Sequence, residues 1–364
     1  MLRANDLDWW WKTRSPHLEL LGNTGYKIES RMEALVFLYK IITPHLDDFT
    51  PAEYSWKWGR GNEPPKIQYR VEAISPLAGS EFDPFNQAAT KDMIDRLSSV
   101  TPNLDLRLFY HFWTRLIGPS SPASAPKDSQ QSTVFLAFET SRNGDISVKA
   151  YFVPIASAEC TAAKQISDVI RSSGCSNLHA IDNLESYLKS DPQGSTLDPI
   201  MLGIDCIKPS ESRLKIYART RFTSFNSLQE LWNRTLGLST ETPIAEELLT
   251  CNNATAGALS YFDVSPKSAV PDVKVYIPVR HYAKSERQIA EGLTGFMTDR
   301  ARGRWTEAYI DAVERLGAET GGIDNTLWVY TYVTAAYQGR ELAVTSYLNP
   351  RAYHHARCHR VNNM

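Results

Sequence analysis

Polar and apolar residues alternate in three separated segments of the chain, at positions 148–151, 213–217 and 273–276. Each segment carries Lys-x-Tyr at alternate positions, with aliphatic residues between them. Side chains two apart in a β-strand lie on the same face, so each lysine should lie beside its tyrosine. The repetition predicts strands that direct three lysines, an arginine and three tyrosines into one volume. Such a volume suits a polyanion that carries an apolar group able to form a cation.

A unit of two helices followed by two strands occurs five times along the chain. Helical spacing of apolar residues and turn residues predict helices at 9–20, 28–43, 86–98, 104–117, 160–173, 180–189, 226–236, 243–251, 285–298 and 304–316. Alternation predicts strands at 52–58, 66–74, 133–140, 146–153, 200–207, 213–221, 257–264, 272–279, 327–337 and 341–348. Asn143-Gly144 predicts a tight hairpin, and the Ser/Pro-rich segment 119–131 predicts a loop or a disordered stretch.

Consecutive hairpins give antiparallel strands, and a twisted sheet of ten strands tends to curl or close, which removes its edges. We therefore predict an α+β fold, a ten-stranded antiparallel β-barrel with a solvent-filled lumen inside a ring of α-helices, with residues 1–364 as a single domain. The apolar strand faces should pack against the helices: Ile67, Tyr69, Val71, Val148, Ala150, Phe152, Leu214, Ile216, Val273, Val275 and Ile277. The other faces should line the lumen: Gln68, Arg70, Glu72, Lys149, Tyr151, Arg213, Lys215, Tyr217, Lys274 and Tyr276.

Composition narrows the range of partners. The hydrophobic content of 42% is that of a globular chain, and the formal charge of −2 argues against a general binder of nucleic acids or membranes. The five cysteines are scattered without C-x-x-C spacing, which favours a reducing compartment over a disulfide framework or a zinc site. No run approaches the roughly 18 apolar residues that a membrane span requires, so we expect a cytoplasmic protein.

Several short motifs occur in a characteristic order and spacing, among them Asp83-Pro84-Phe85-Asn86. The others lie at residues 7–11, 25–26, 53–56, 148–152, 205–206, 212–217 and 273–282. On these motifs, nearly the whole chain resembles the fungal aromatic prenyltransferases of the dimethylallyltryptophan synthase family. The resemblance implies a ten-stranded barrel ringed by helices. It also implies transfer of a prenyl group from dimethylallyl diphosphate, or a longer prenyl diphosphate, to an electron-rich aromatic acceptor in secondary metabolism.

The resemblance also implies roles for individual residues. It implies no essential metal and no cofactor, and an acceptor derived from indole or tryptophan is the first expectation. Glu53 corresponds to the acidic residue that hydrogen-bonds the acceptor N–H. The residues expected to grip the diphosphate are Lys149, Arg213, Lys215 and Lys274. The tyrosines expected to shield the prenyl cation are Tyr151, Tyr217, Tyr276 and Tyr347.

Elementary chemistry supports these roles independently. Ionisation of an allylic C–O bond leaves a diphosphate, which fixed positive charge stabilises, and a carbocation, which aromatic faces stabilise. Tyrosine rings attract a cation by about 0.5 to 2 kcal/mol each and keep water away from it. A carboxylate at Glu53 could polarise an indole N–H or a phenol O–H and so activate the acceptor ring.

The sequence departs from the family pattern at three places. Gln68 occupies the position of a diphosphate-binding arginine, although Glu72 is matched, and Arg70 on the same face is the candidate to replace that arginine. No lysine lies between Asp128 and Val148, where some tryptophan-prenylating members carry a base. The connection before Glu53 is also short.

Other interpretations stay open. A single Lys-x-Tyr pair is typical of an exposed strand face, and only its repetition points to a site. The chain could be a non-catalytic barrel that binds a metabolite, or an enzyme that cyclises isoprenoid cations without a second substrate. Asp47-Asp48 lacks a further carboxylate at helical spacing, which argues against a metal–diphosphate motif. The acceptor could equally be a cyclic dipeptide, a tyrosine or a polyketide phenol, and the sequence is silent on oligomeric state.

Overall fold

The computed structural model describes residues 16–46, 52–117, 132–155, 160–174, 178–220, 258–266, 268, 270–318, 321–338 and 341–349. The predicted helices at 226–236 and 243–251 and the predicted loop at 119–131 lie outside the described residues, as does the first part of the predicted helix at 9–20.

The described strands form one closed antiparallel barrel. Each strand pairs with its neighbours in the chain, and the last strand pairs with the first. The strands are β1 (Glu53–Lys57), β2 (Lys66–Val71), β3 (Val134–Thr140), β4 (Ile146–Phe152), β5 (Asp198–Asp205), β6 (Leu214–Thr220), β7 (Ala258–Val264), β8 (Asp272–Ile277), β9 (Tyr330–Gln338) and β10 (Glu341–Leu348). The predicted fold class is confirmed, and closure leaves no unpaired edge among these strands.

In the described part of the chain, helix pairs precede the hairpins β1–β2, β3–β4, β5–β6 and β9–β10, as the repeat predicts. The helices are α1 (Ile28–Phe37), α2 (Ala88–Val100), α3 (Arg107–Leu116), α4 (Ala162–Arg171), α5 (Leu178–Ser190), α6 (Glu286–Asp299) and α7 (Thr306–Ala318). Residues 16–23 are also helical. The hydroxyls of Thr161 and Ser285 accept hydrogen bonds from the backbone N–H three residues ahead and so begin α4 and α6.

The helix predicted at 28–43 is α-helical only to Phe37. It continues as a π-helical turn, Leu38–Ile42, and ends in a 3-10 turn, Thr43–His45. Pro44 lies in that last turn and has no N–H to donate to the preceding carbonyls, which explains the end of the helix at this point.

The main core lies between the barrel and its helices. All the strand residues predicted to face the helices belong to this core, as do the apolar stripes of the helices. On α3, Phe109 and Phe112 stack on Phe152 of β4, with ring centroids 5.4 and 6.1 Å apart. The hydrophobic surface of each strand is therefore buried outside the barrel, which leaves the inside free for polar side chains.

The predicted hairpin turn joins β3 to β4. Gly144 has a φ of +91°, a backbone conformation that glycine adopts without strain. A Cβ at this position would also collide with the side chain of Glu33 on α1. Of the helices described here, none is long and apolar enough to cross a membrane.

Candidate active site

The lumen changes in character along the barrel axis. On β1, Lys57, Ser55 and Glu53 alternate with core residues and pair with Lys66, Gln68 and Arg70 of β2. Because a strand rises about 3.3 Å per residue, Lys57 and Glu53 lie about 13 Å apart along β1. One end of the lumen is thus cationic and the other carries a carboxylate.

The cationic end is a cavity lined by side chains from most of the strands around the barrel. Its lining includes six cations: Lys57, Lys66, Lys149, Arg213, Lys215 and Lys274. Ser55, Gln68, Glu139 and Thr345 also line it, and Tyr151, Tyr217, Tyr261 and Tyr347 close it on one side. The structure therefore brings together the four cations that the sequence proposed as a diphosphate grip.

Carboxylates hold several of these cations in place. Lys149 Nζ lies 2.9 Å from Glu139 and donates to Gln68 Oε1 at 2.5 Å. Asp205 accepts hydrogen bonds from Arg213 Nε and Lys215 Nζ, each at 2.9 Å. Burial alone would raise the pKa of Asp205, but the neighbouring lysines and Arg213 hold it well below the ordinary value. The carboxylate stays ionised and keeps its two partners extended into the cavity.

Lys274 has a different environment. Its Nζ donates to Thr345 Oγ1 at 3.4 Å, and in the part of the chain that the structure describes no carboxylate lies within ion-pair distance. Burial, together with repulsion from Lys57, Lys215 and Lys149, lowers the pKa of Lys274 to about 7. Burial likewise lowers the pKa of Lys57 to about 8. The charged forms of Lys274 and Lys57 are therefore destabilised, and an anionic ligand bound beside them would stabilise these charged forms.

A layer of tyrosines fills the middle of the lumen. The ring of Tyr217 lies 5.9 Å from that of Tyr151, 5.0 Å from Tyr261 and 6.1 Å from Tyr276. The ring of Tyr276 lies 5.3 Å from that of Tyr347, and the two hydroxyls are 3.2 Å apart. Burial raises the pKa values of Tyr217, Tyr261, Tyr276 and Tyr347, so these side chains are neutral phenols rather than nucleophilic phenolates.

Gly203 on β5 makes room for one of these rings. A Cβ at Gly203 would lie 2.9 Å from Cδ1 of Tyr151 and 3.4 Å from Cβ of Lys215, and real Cβ atoms do not approach ring carbons so closely. The absence of a side chain therefore lets Tyr151 of β4 lie across β5, next to the tyrosine of β6.

Glu53 lies on the far side of the tyrosine layer. It is buried, its Oε2 lies 2.8 Å from Arg70 Nη2, and its Oε1 accepts a hydrogen bond from Thr331 at 2.8 Å. Arg70 is thus engaged with Glu53 and does not line the cationic cavity, whereas Gln68 does. Glu72 lies just beyond β2 and binds Asn86 and Ser132.

Residues 6–312 match the model of the tryptophan dimethylallyltransferase family. The chain belongs to this family. It is an aromatic prenyltransferase, as the motifs predicted. It is 33% identical to the DMATS-type prenyltransferase fscG of Fusarium equiseti over an alignment of 409 positions that covers 95% of this chain and 92% of the relative. It is 30% identical to 4-O-dimethylallyl-L-tyrosine synthase of Claviceps purpurea, covering 93% of this chain and 87% of the relative.

A solved structure confirms the fold of the prenyltransferase. NotF, solved in complex with brevianamide F and DMSPP, superimposes with a TM-score of 0.83 over 97% of this chain and 96% of its own, at 21% identity. At this level of identity the likeness establishes the barrel architecture, and the roles of individual residues rest on the geometry of this chain.

Sequence reasoning missed several residues of the prenyltransferase lumen. Lys57 and Lys66 lie in strands that were predicted with nearly the observed bounds, and alternation from Glu53 and Gln68 could have placed them in the lumen. Tyr261 of β7 pairs with Tyr217 of β6, a register that alternation within one strand does not give. Thr331 and Gly203 gave no such signal, because their importance depends on contacts between strands.

Proposed function

We propose that this enzyme transfers a dimethylallyl group, or a longer prenyl group, from its diphosphate to an electron-rich aromatic acceptor. One observation supports this most strongly: the lumen holds a cationic cavity, a tyrosine layer and a buried carboxylate in sequence along its axis. An allylic diphosphate bound next to an aromatic acceptor would place its parts in the same order: the diphosphate, the prenyl group and then the acceptor ring. The DMSPP and brevianamide F bound to NotF are ligands of the proposed kinds.

The cationic cavity would hold the diphosphate. When all six cations are protonated, their six positive charges and the three negative charges of Glu139, Asp205 and Asp263 leave a net charge of +3. This net charge balances the three negative charges of a fully ionised allylic diphosphate. Lys149, Arg213, Lys215 and Lys274 would donate charge-assisted hydrogen bonds to its oxygens, and Lys57 and Lys66 would add to the field. Because negative charge on the leaving group grows as the C–O bond breaks, these fixed donors stabilise the transition state more than the bound substrate.

The tyrosine layer would enclose the prenyl group. Tyr151, Tyr217, Tyr276 and Tyr347 would stabilise the cation with their ring faces, and Tyr261 would join them. As neutral phenols packed against each other, they exclude water without offering a nucleophile to capture the cation.

Glu53 would act on the acceptor. Its carboxylate faces the side of the tyrosine layer away from the diphosphate, so an acceptor bound there would present its ring to the prenyl carbon. By accepting a hydrogen bond from the acceptor N–H or O–H, Glu53 would increase the electron density of that ring and receive the proton released on attack.

We also propose that the reaction needs no metal, because six side-chain cations already surround the place where a divalent ion would neutralise the diphosphate. We propose further that residues 1–364 work as one domain, since strands from residue 53 to residue 348 close a single barrel. A reducing, cytoplasmic setting is also proposed, because the five cysteines are scattered and lack C-x-x-C spacing.

Incubation with dimethylallyl diphosphate and a panel of indoles, tyrosine derivatives, cyclic dipeptides and polyketide phenols tests the proposal. Mass spectrometry should detect an acceptor heavier by one dimethylallyl group. A product formed from the diphosphate alone would instead support a cyclase, and binding of the diphosphate with no product would support a metabolite-binding barrel.

A further inference from the structure

Glu53 and Arg70 form an ion pair at the end of the lumen where the acceptor would bind. The two groups are 2.8 Å apart, and 30% of the Arg70 side chain is accessible although Glu53 is buried. The Arg70 side chain therefore borders the open part of the lumen, while the Glu53 carboxylate that it contacts is also held by the hydroxyl of Thr331.

Arg70 has hydrogen-bond donors to spare. Apart from the pair with Glu53, no acceptor among the described residues is bound to its Nε or Nη1. Its Cζ lies 5.3 Å from the ring centroid of Phe135 and 5.9 Å from that of Tyr151. A hydrogen-bond donor, Arg70, and a hydrogen-bond acceptor, Glu53, thus lie side by side next to aromatic rings.

A phenolic oxygen matches this pair, whereas an indole nitrogen does not. A phenol O–H donates one hydrogen bond and its oxygen accepts another, so it can engage Glu53 and Arg70 together. An indole N–H only donates, and it would leave the Arg70 donors unpaired once the acceptor had displaced water. Sites of this kind discriminate strongly because an unsuitable ligand leaves buried polar groups unsatisfied.

Beside the tyrosine layer, the β3 wall of the lumen offers no base for a ring proton. On β3, Ala137 and Phe135 pair with Lys149 and Tyr151 of β4 and pack with the tyrosine layer, and neither can take a proton from a ring carbon. On attack, Glu53 can take the O–H proton of a phenol or the N–H proton of an indole, so the discrimination between them rests on the hydrogen bond from Arg70.

We propose that Glu53 and Arg70 together select a phenolic acceptor; this rests on the proposed prenyl transfer. The C–O bond of the donor breaks, and its electron pair leaves with the diphosphate. An ortho or para ring carbon of the phenol bonds to the prenyl carbon while the O–H proton passes to Glu53 and Arg70 donates to the resulting carbonyl oxygen. The neutral dienone then tautomerises in solvent: water takes up its ring proton and its oxygen regains a proton, which restores the phenol, while Glu53 returns its proton to water.

The test compares 2-naphthol with indole as acceptors, in the wild-type enzyme and in Arg70→Met. We measure kcat/KM for each with dimethylallyl diphosphate, and the affinity for each by calorimetry with inorganic diphosphate in the cavity. Loss of a charged hydrogen bond should lower the ratio of the 2-naphthol value to the indole value about 10- to 100-fold in Arg70→Met, because loss of the ion-pair partner of Glu53 acts on both acceptors alike. Arg70→Lys should recover part of the 2-naphthol values. Thr331→Val removes the hydrogen bonds of this hydroxyl to Glu53 and to the Tyr347 carbonyl but leaves Arg70 in place, so it should affect both acceptors equally.

A wild-type preference for indole, or an equal loss for both acceptors in Arg70→Met, would overturn the selection and leave Arg70 as a support for Glu53. Transfer to neither acceptor would count against the proposed function instead. In that case the affinities for 2-naphthol and indole test the proposed selection without turnover. A higher affinity for 2-naphthol in the wild-type enzyme that is lost in Arg70→Met would support the selection, and equal affinities would refute it.

Discussion

Lys274 Nζ lies 3.4 Å from Thr345 Oγ1, its only hydrogen-bond partner among the described residues, in a cavity that holds five other cations. The pKa of about 7 means that much of Lys274 is neutral in the free enzyme above neutral pH. A bound diphosphate favours the charged form, so the free enzyme must take up a proton when it binds. Binding of the diphosphate is thus coupled to protonation of Lys274.

Binding of the donor should therefore depend on pH. Affinity should be greatest below pH 7 and fall as the pH rises through the pKa of Lys274, about 7, and that of Lys57, about 8. Calorimetry at pH 8 in two buffers with different ionisation enthalpies should report net proton uptake. The uptake should decrease in Lys274→Arg, whose guanidinium stays charged throughout this range. Equal heats in both buffers for the wild-type enzyme would refute this linkage.

Lys215→Ala should weaken binding of the donor by about 2 kcal/mol, or roughly 30-fold, because a charged hydrogen bond is lost. The loss also leaves Asp205 with one cation fewer, which adds repulsion toward the diphosphate. Titration with inorganic diphosphate measures the effect. The matched control is Lys164→Ala, since Lys164 lies exposed on α4 in a pair with Asp168. Equal affinities for the two variants would remove Lys215 from the diphosphate site.

Gly203→Ala should displace the ring of Tyr151 and open the tyrosine layer to water. We expect a larger share of donor to be hydrolysed to the prenyl alcohol rather than transferred, because the cation would be less shielded. Chromatography of both products gives the ratio. Gly292→Ala is the control, because Gly292 on α6 has open space around it. An unchanged ratio in Gly203→Ala would mean that this ring position does not protect the cation.

Glu53→Gln should lower kcat about 100-fold and leave donor affinity nearly unchanged. The amide fills the same space and can still accept from Thr331, but it is a far weaker base and no longer neutralises Arg70. Donor affinity is expected to persist because Lys57, at the diphosphate end, lies four residues away on the same strand. Steady-state kinetics with saturating donor measure the change, and near-normal turnover in both Glu53→Gln and Glu53→Ala would exclude Glu53 from the chemistry.

Alternation along the strands was sufficient to predict the barrel and most of its cationic cavity. Lys149, Lys215 and Lys274 could be placed together because the period of two assigns each residue to a face, and closure then brings the faces toward one lumen. The position of Arg70 could not be derived in this way. The pairing of Arg70 with Glu53 depends on the register between β1 and β2. The sequence pattern places positions 68 and 70 on the same face of β2 but does not specify which of them lies opposite Glu53.

The most direct test of metal-free prenyl transfer measures the transfer itself after removal of metal ions. Enzyme treated with EDTA is incubated with dimethylallyl diphosphate and the best acceptor from the panel, and the product is quantified by mass spectrometry. We expect acceptor-dependent prenylation at a rate close to that of untreated enzyme, together with a loss of at least about tenfold in the double variant Lys215→Ala/Lys274→Met at subsaturating donor. Complete loss of transfer in EDTA that magnesium restores, or full activity in the double variant, would contradict this expectation.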